Sequence, residues 1–174
     1  MLQQLVEPTV DILADRLHRS RILNATSGSA ASVVATAAAA VIANECDGEL
    51  IVVHVCPPEV LRVARLAPTI VRNVRLRDPH ASAVLSVARQ VAWANGAFAR
   101  VVLMSGEPVP AILSLADELM VDLIVIGASG SRVPAVLTGR VRYRIQRDAP
   151  CAVRVIALPP STAAQRSRRT VPAT

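Results

Sequence analysis

The sequence predicts an α/β fold: an open, Rossmann-like parallel sheet of five strands with helices on both faces. Three observations predict it. Short aliphatic runs such as Leu50 to Cys56 (LIVVHVC) alternate with longer helical stretches, the pattern left by repeated strand-helix-strand crossovers. Those runs are continuously apolar, as strands covered on both faces require. Hydrophobic residues make up 52% of the chain but aromatics only 2%, so the core is built from Ala, Val, Leu and Ile, which suits helices packed on a sheet. At 174 residues the chain is long enough for one domain with tails.

The elements follow in order. Residues 1–20 form an N-terminal extension with a short helix from about Thr9 to His18, because Pro8 can begin a helix but not continue one. Arg21 to Ala25 is the first strand, and Ser27-Gly28-Ser29 then supplies the cap for an Ala-rich helix from Ala30 to about Cys46. Asp47-Gly48 closes that helix. Leu50 to Cys56 is the second strand and Pro57-Pro58 ends it. Glu59 to Asp78 mixes Arg with Leu and Val and has no clean period. A helix from Ala81 to about Asn95 stops at Gly96, Ala99 to Met104 is the third strand, and a helix from Val109 to about Met120 leads into the fourth, Asp122 to Ile126. A glycine loop that carries Gly127, Gly130 and Gly139, a basic helix and a last buried strand, CAVRVI, complete residues 21–158 as the folded domain. Residues 159–174 are mostly Pro, Ser, Thr, Ala and Arg, too polar to fold, and form a disordered basic tail.

Composition excludes several chemistries. All 19 basic residues are Arg, so neither a P-loop lysine nor a Schiff-base lysine is available. Cys46, Cys56 and Cys151 share no metal or disulfide spacing and read as small buried hydrophobes. No apolar run reaches the roughly 20 residues of a membrane span, and no secretory pattern opens the chain, so a cytoplasmic location without a membrane partner is expected. His54, inside an apolar strand, reads as a core histidine bonded to backbone. Gly127-Ala128-Ser129-Gly130 falls short of a nucleophile elbow because position 131 is Ser. Arginines gather at Arg132, Arg140, Arg142, Arg144 and Arg147 and in the tail, but the scarcity of aromatic stacking residues argues against nucleic acid as a partner.

Four stretches together resemble the universal stress protein family. They are ILNATSGSAAS, LIVVHV, GEPVPAIL followed by DLIVIG, and GASG…TGRV…APCAV, spanning Arg21 to about Ala157. The resemblance implies an adenine nucleotide alpha hydrolase-like sheet of order 3-2-1-4-5 and a homodimer formed through the last strand. In the family's ATP-binding branch it also implies ATP or another adenine nucleotide, with no metal beyond a nucleotide-bound Mg. The branch signature is G-x2-G-x9-G-[ST]. Gly127 and Gly130 match its first two glycines, and Gly139 matches the third with eight intervening residues in place of nine. Arg140 stands where the hydroxyl residue belongs, and Ser27 where an Asp is expected. The implied binding set is Ala25, Ser27, Val55, Ile126, Gly127, Ser129, Gly130, Gly139, Arg140 and Val141.

Two readings of Arg140 stay open: a bidentate phosphate partner, or the start of a solvated helix face with Arg144 and Arg147. Arg154, in the middle of CAVRVI, counts against a uniformly apolar dimer edge. The expected function is a regulatory or interaction module of the stress response, binding an adenine nucleotide at a degenerate site. The alternative is a nucleotide-independent scaffold that contacts a protein partner. Slow ATP hydrolysis is the weaker third, since no general base can be named.

Overall fold

The structure, a computed structural model, describes residues 19–56, 78–128 and 135–158, with side chains from Arg140 onward in the last of these. The expected N-terminal helix, nearly all of Glu59 to Asp78, the loop residues Ser129 and Gly130, and the C-terminal tail lie outside the described residues.

Strand β1 (Arg21–Ala25) is followed by α1 (Ala30–Glu45), β2 (Glu49–Cys56), α2 (Pro79–Ala94), β3 (Ala99–Ser105), α3 (Pro108–Glu118), β4 (Leu123–Ala128), α4 (Ala135–Asp148) and β5 (Ala152–Ala157). All pairings are parallel and the order is β3-β2-β1-β4-β5, so β3 and β5 are the edges. This is the expected fold.

Pleating divides the core into two layers. Ile22, Leu50, Val52 and Val125 face α1 and α2, whose Ala35, Ala39, Ala40, Ala43, Leu85, Ala88 and Ala92 pack on them. Their neighbours Leu23, Ile51, Val53, Ile124 and Ile126 point the other way, onto Ile112 and Leu115 of α3 and Ile145 of α4. The alanine stripe of α1 lets its backbone approach the sheet closely.

Local chemistry sets the boundaries. Ser29 caps α1, its side chain accepting from the Ser32 amide. At the other end the chain turns through Asp47 at φ 49°, and the Gly48 amide donates to the Ala43 carbonyl at 2.8 Å. Asp78 caps α2 with Pro79 in its first turn, so that helix starts two residues earlier than its apolar period suggested.

Three sequence expectations are corrected. Cys46 is exposed, because it sits just beyond the last turn of α1, although Cys56 is buried as expected. The CAVRVI run is a half-exposed edge strand, with Ala152, Arg154 and Ala157 open to solvent, so Arg154 reaches water without a buried partner. The glycine loop is also shorter than read. Helix α4 already begins at Ala135, which places Gly139 inside it.

Candidate nucleotide crevice

In an open α/β sheet the crevice for a ligand forms at the carboxyl ends of the strands where the chain's crossovers diverge. Here that point lies between β1 and β4. The crossover after β1 leads through α1 to β2 on one side, and β4 continues through α4 to β5 on the other. Ala25 is in register with both Val53 and Ile126, and the Thr26 amide donates to the Val53 carbonyl at 2.9 Å. The ends of β2, β1 and β4 therefore stand side by side.

Of the implied binding residues, this arrangement brings together Ala25 at the end of β1, Ser27 in the loop after it, Val55 near the end of β2, and Ile126 and Gly127 in β4. Ser27 is exposed, Ala25, Val55 and Gly127 are half-buried, and Ile126 is buried. The α4 residues differ. Gly139, Arg140 and Val141 are the fifth to seventh residues of that helix, beyond the four amides a helix start leaves free. Their amides belong to the helix ladder, not to a phosphate loop. Val141 packs against the α3 layer of the core, while Arg140 is exposed and can offer only its guanidinium. Arg144 and Arg147 are exposed on the same helix, and Arg147 is held by Asp148 at 2.6 and 2.9 Å.

The loop after β1 carries a run of hydroxyls. Ser27 Oγ donates to Ser29 Oγ at 3.1 Å, Ser32 Oγ donates to the Ser29 carbonyl at 2.8 Å, and Thr26 Oγ1 donates to Ser32 Oγ at 3.2 Å. Deeper in, Thr36 Oγ1 donates to Asn24 Oδ1 at 2.7 Å, and Asn24 Nδ2 donates to the Val125 carbonyl at 3.1 Å. Asn24, Thr26, Ser32 and Thr36 are all buried. Among the described residues no buried side-chain nitrogen or oxygen is left without a partner. Sequence reading passed over Asn24 and Thr36. The signal was there, in an amide amid an apolar strand, which must find partners when buried.

His54 behaves as a core histidine, with Nδ1 2.8 Å from the Thr26 carbonyl oxygen. Since that carbonyl can only accept, Nδ1 carries the proton, and the bond ties β2 to the loop after β1. Beyond it, the Cys56 thiol lies 4.0 Å from Asp78 Oδ2. Burial, and then the Asp78 charge, push that thiol's pKa up.

Gly127 has a packing reason of its own. A β-carbon there would lie 2.5 Å from the Ala31 carbonyl oxygen and 2.8 Å from the Ser32 amide, so the first turn of α1 rests directly on the β4 backbone. Gly28, at φ 80°, similarly faces Val84 of α2. Gly28 is exposed in the loop after β1, beside the exposed hydroxyl of Ser27.

The fold is a doubly wound α/β domain with a crevice at the point where its strand order diverges. The Universal stress protein family matches residues 18–157, and the chain belongs to that family. It is 28% identical over 147 residues to Universal stress protein YxiE of Bacillus subtilis (strain 168), covering 79% of this chain and 98% of that one. A universal stress protein solved in complex with cAMP is similar at 23% identity and a TM-score of 0.57, covering 79% of this chain and 95% of its own. One from Archaeoglobus fulgidus in complex with dAMP is similar at 22% identity and a TM-score of 0.57, covering 80% and 98%. Among the described residues no helix is long and apolar enough to cross a membrane.

Proposed function

We propose that this chain is a cytoplasmic regulatory or interaction module of the stress response whose crevice binds an adenine nucleotide. The observation that carries the reading is the meeting of Ser27, Val55, Ile126 and Gly127 at three adjacent strand ends, where the strand order opens a crevice. The cAMP and dAMP complexes of similar folds support adenine as the base. In this reading the base lies against the Val55 backbone, the sugar faces Ser27, and phosphate meets the Ser129 and Gly130 loop and the Arg140 guanidinium. A Mg ion would come with the nucleotide's own phosphates.

The neutral Ser27 hydroxyl replaces a charged acceptor, and hydrogen bonds to charged groups are worth about 1.5–3 kcal/mol, so binding is weaker than an Asp would give. A second reading, a nucleotide-independent scaffold, is favoured by two observations. Gly127 is accounted for by packing, and Gly139 lies within a helix. A regulatory role does not need turnover, and slow ATP hydrolysis is the weaker alternative, for which no general base can be named. Self-association through β5 fits the same proposal if Arg154 finds a carboxylate or water across the edge.

A thermal-shift titration with ATP, ADP, cAMP and dAMP, on wild type and Arg140→Ala, tests the reading. Saturable stabilisation that weakens in Arg140→Ala supports it. No stabilisation by any of the four at millimolar concentration overturns it in favour of the scaffold.

A further inference from the structure

The chain has one Trp and one Phe, and the fold exposes both in the same place. Trp93, in the last turn of α2, is 65% exposed and Phe98, just before β3, is 80% exposed. Their rings meet edge to face with centroids 4.6 Å apart. A paired, rigid aromatic surface left in water is unusual for a residue class that supplies most of its value when buried.

The pair lines a groove of about 620 Å³ between α2 and the outer strand β3. Along α2 the groove is lined by Ser86, Arg89, Gln90 and Trp93, successive positions of one helix face, and β3 contributes Ala99 and Val101. Strand β3 pairs only with β2, so among the described residues its other edge keeps its backbone N–H and C=O groups unpaired. Arg89 is exposed and has no acidic partner among the described residues. Among the described residues no carboxylate lines the groove. The next cation along β3, Arg100, is partly held by Glu49 at 3.6 Å.

We infer that this groove is a docking site for an extended, acidic segment of a partner protein. The segment adds to the open β3 edge through its backbone, sets a carboxylate on Arg89 and covers the Trp93–Phe98 pair with an apolar side chain. Charge selects this occupant over a second copy of the chain. A two-fold interface places the same patch against itself, and because no described residue lining that patch is a carboxylate, a second copy would offer Arg89 no acidic partner in a chain of net charge +6. An acidic strand supplies what the groove lacks. The site is separate from the crevice and does not depend on nucleotide binding.

Trp93 is the chain's single tryptophan, so its emission reports on this groove alone. The probe is a capped peptide of alternating leucine and glutamate, titrated against the full chain at low salt, with a leucine-lysine peptide as control. The expected result is a saturable blue shift with the acidic peptide and none with the basic one. Phe98→Ser should weaken binding about tenfold or more. Arg89→Glu should abolish the preference for the acidic peptide, with unchanged far-ultraviolet circular dichroism showing that both variants fold. No shift, or equal shifts with both peptides, overturns the proposal. So does a blue shift that grows with protein concentration in the absence of peptide, which would assign the groove to a second copy.

Discussion

The hydroxyl of Thr36 donates to the side-chain carbonyl of Asn24 at 2.7 Å, joining the middle of α1 to the central strand of the sheet. Both residues are essentially sealed from water. The same amide donates on to Val125, so one polar side chain connects β1, β4 and α1 directly beneath the crevice. Thr36→Val is expected to leave the Asn24 oxygen buried without its donor, at a cost of about 1–3 kcal/mol. In a double-mutant cycle with Asn24→Leu the two losses should be less than additive, read by equilibrium denaturation. Strict additivity would mean that the two groups act independently.

Gly127→Ala should destabilise the fold whether or not nucleotide is present. The new methyl group meets backbone of the α1 first turn, which cannot rotate away as a side chain could. Overpacking of this kind costs about 1–3 kcal/mol. A lowered melting temperature in nucleotide-free protein is the expected measurement, and an unchanged one would remove the packing explanation.

Ser27→Asp is expected to raise adenine nucleotide affinity by about tenfold or more, because it restores a charged acceptor at the mouth of the crevice. Ser27 is exposed and, among the described residues, its side chain bonds only to Ser29, so the substitution should fold normally. Calorimetric titration of cAMP against both proteins checks it. An unchanged affinity would place the weakness in the loop after β4.

The three thiols should differ in reactivity. Cys46 is exposed and should be labelled first by a thiol reagent at neutral pH. Cys56 is buried, and burial followed by the Asp78 charge raises its pKa. Cys151 is half-buried, and burial is again the leading cause of its raised pKa. Because folding favours the protonated thiol at both sites, the associated stability is fully present below the ordinary thiol range. It is lost as pH climbs through the raised folded values. Denaturation midpoints should therefore fall in alkaline solution, and Cys56→Ala with Cys151→Ala should reduce that fall.

Much of this architecture was legible because each element announces itself locally. LIVVHVC could only be a strand covered on both faces, and Ser29 and Asp47-Gly48 bracket α1 within a residue or two of where it runs. The misreadings share a cause: they depend on neighbours that sequence does not display. The start of α4 at Ala135 follows no Ser, Thr, Asp or Asn cap in the three residues before it, so the sequence alone leaves Gly139 in a loop. CAVRVI is as apolar as an inner strand apart from Arg154, and its half-exposure comes from having a neighbour, β4, on one side only. In the site, the meeting of Ser27, Val55 and Gly127 followed from the fold. The contact that explains Gly127 lies some ninety-six positions away in sequence, at Ala31, and no local pattern could reveal it.

That contact changes what a signature glycine can tell. A descendant of this chain that abandoned nucleotides altogether would still be obliged to keep Gly127, since α1 could not otherwise lie flat on β4. The glycine therefore testifies to how the helix is seated. Whether anything is held above it is a question for Ser27 and Arg140, whose side chains the fold leaves free to vary.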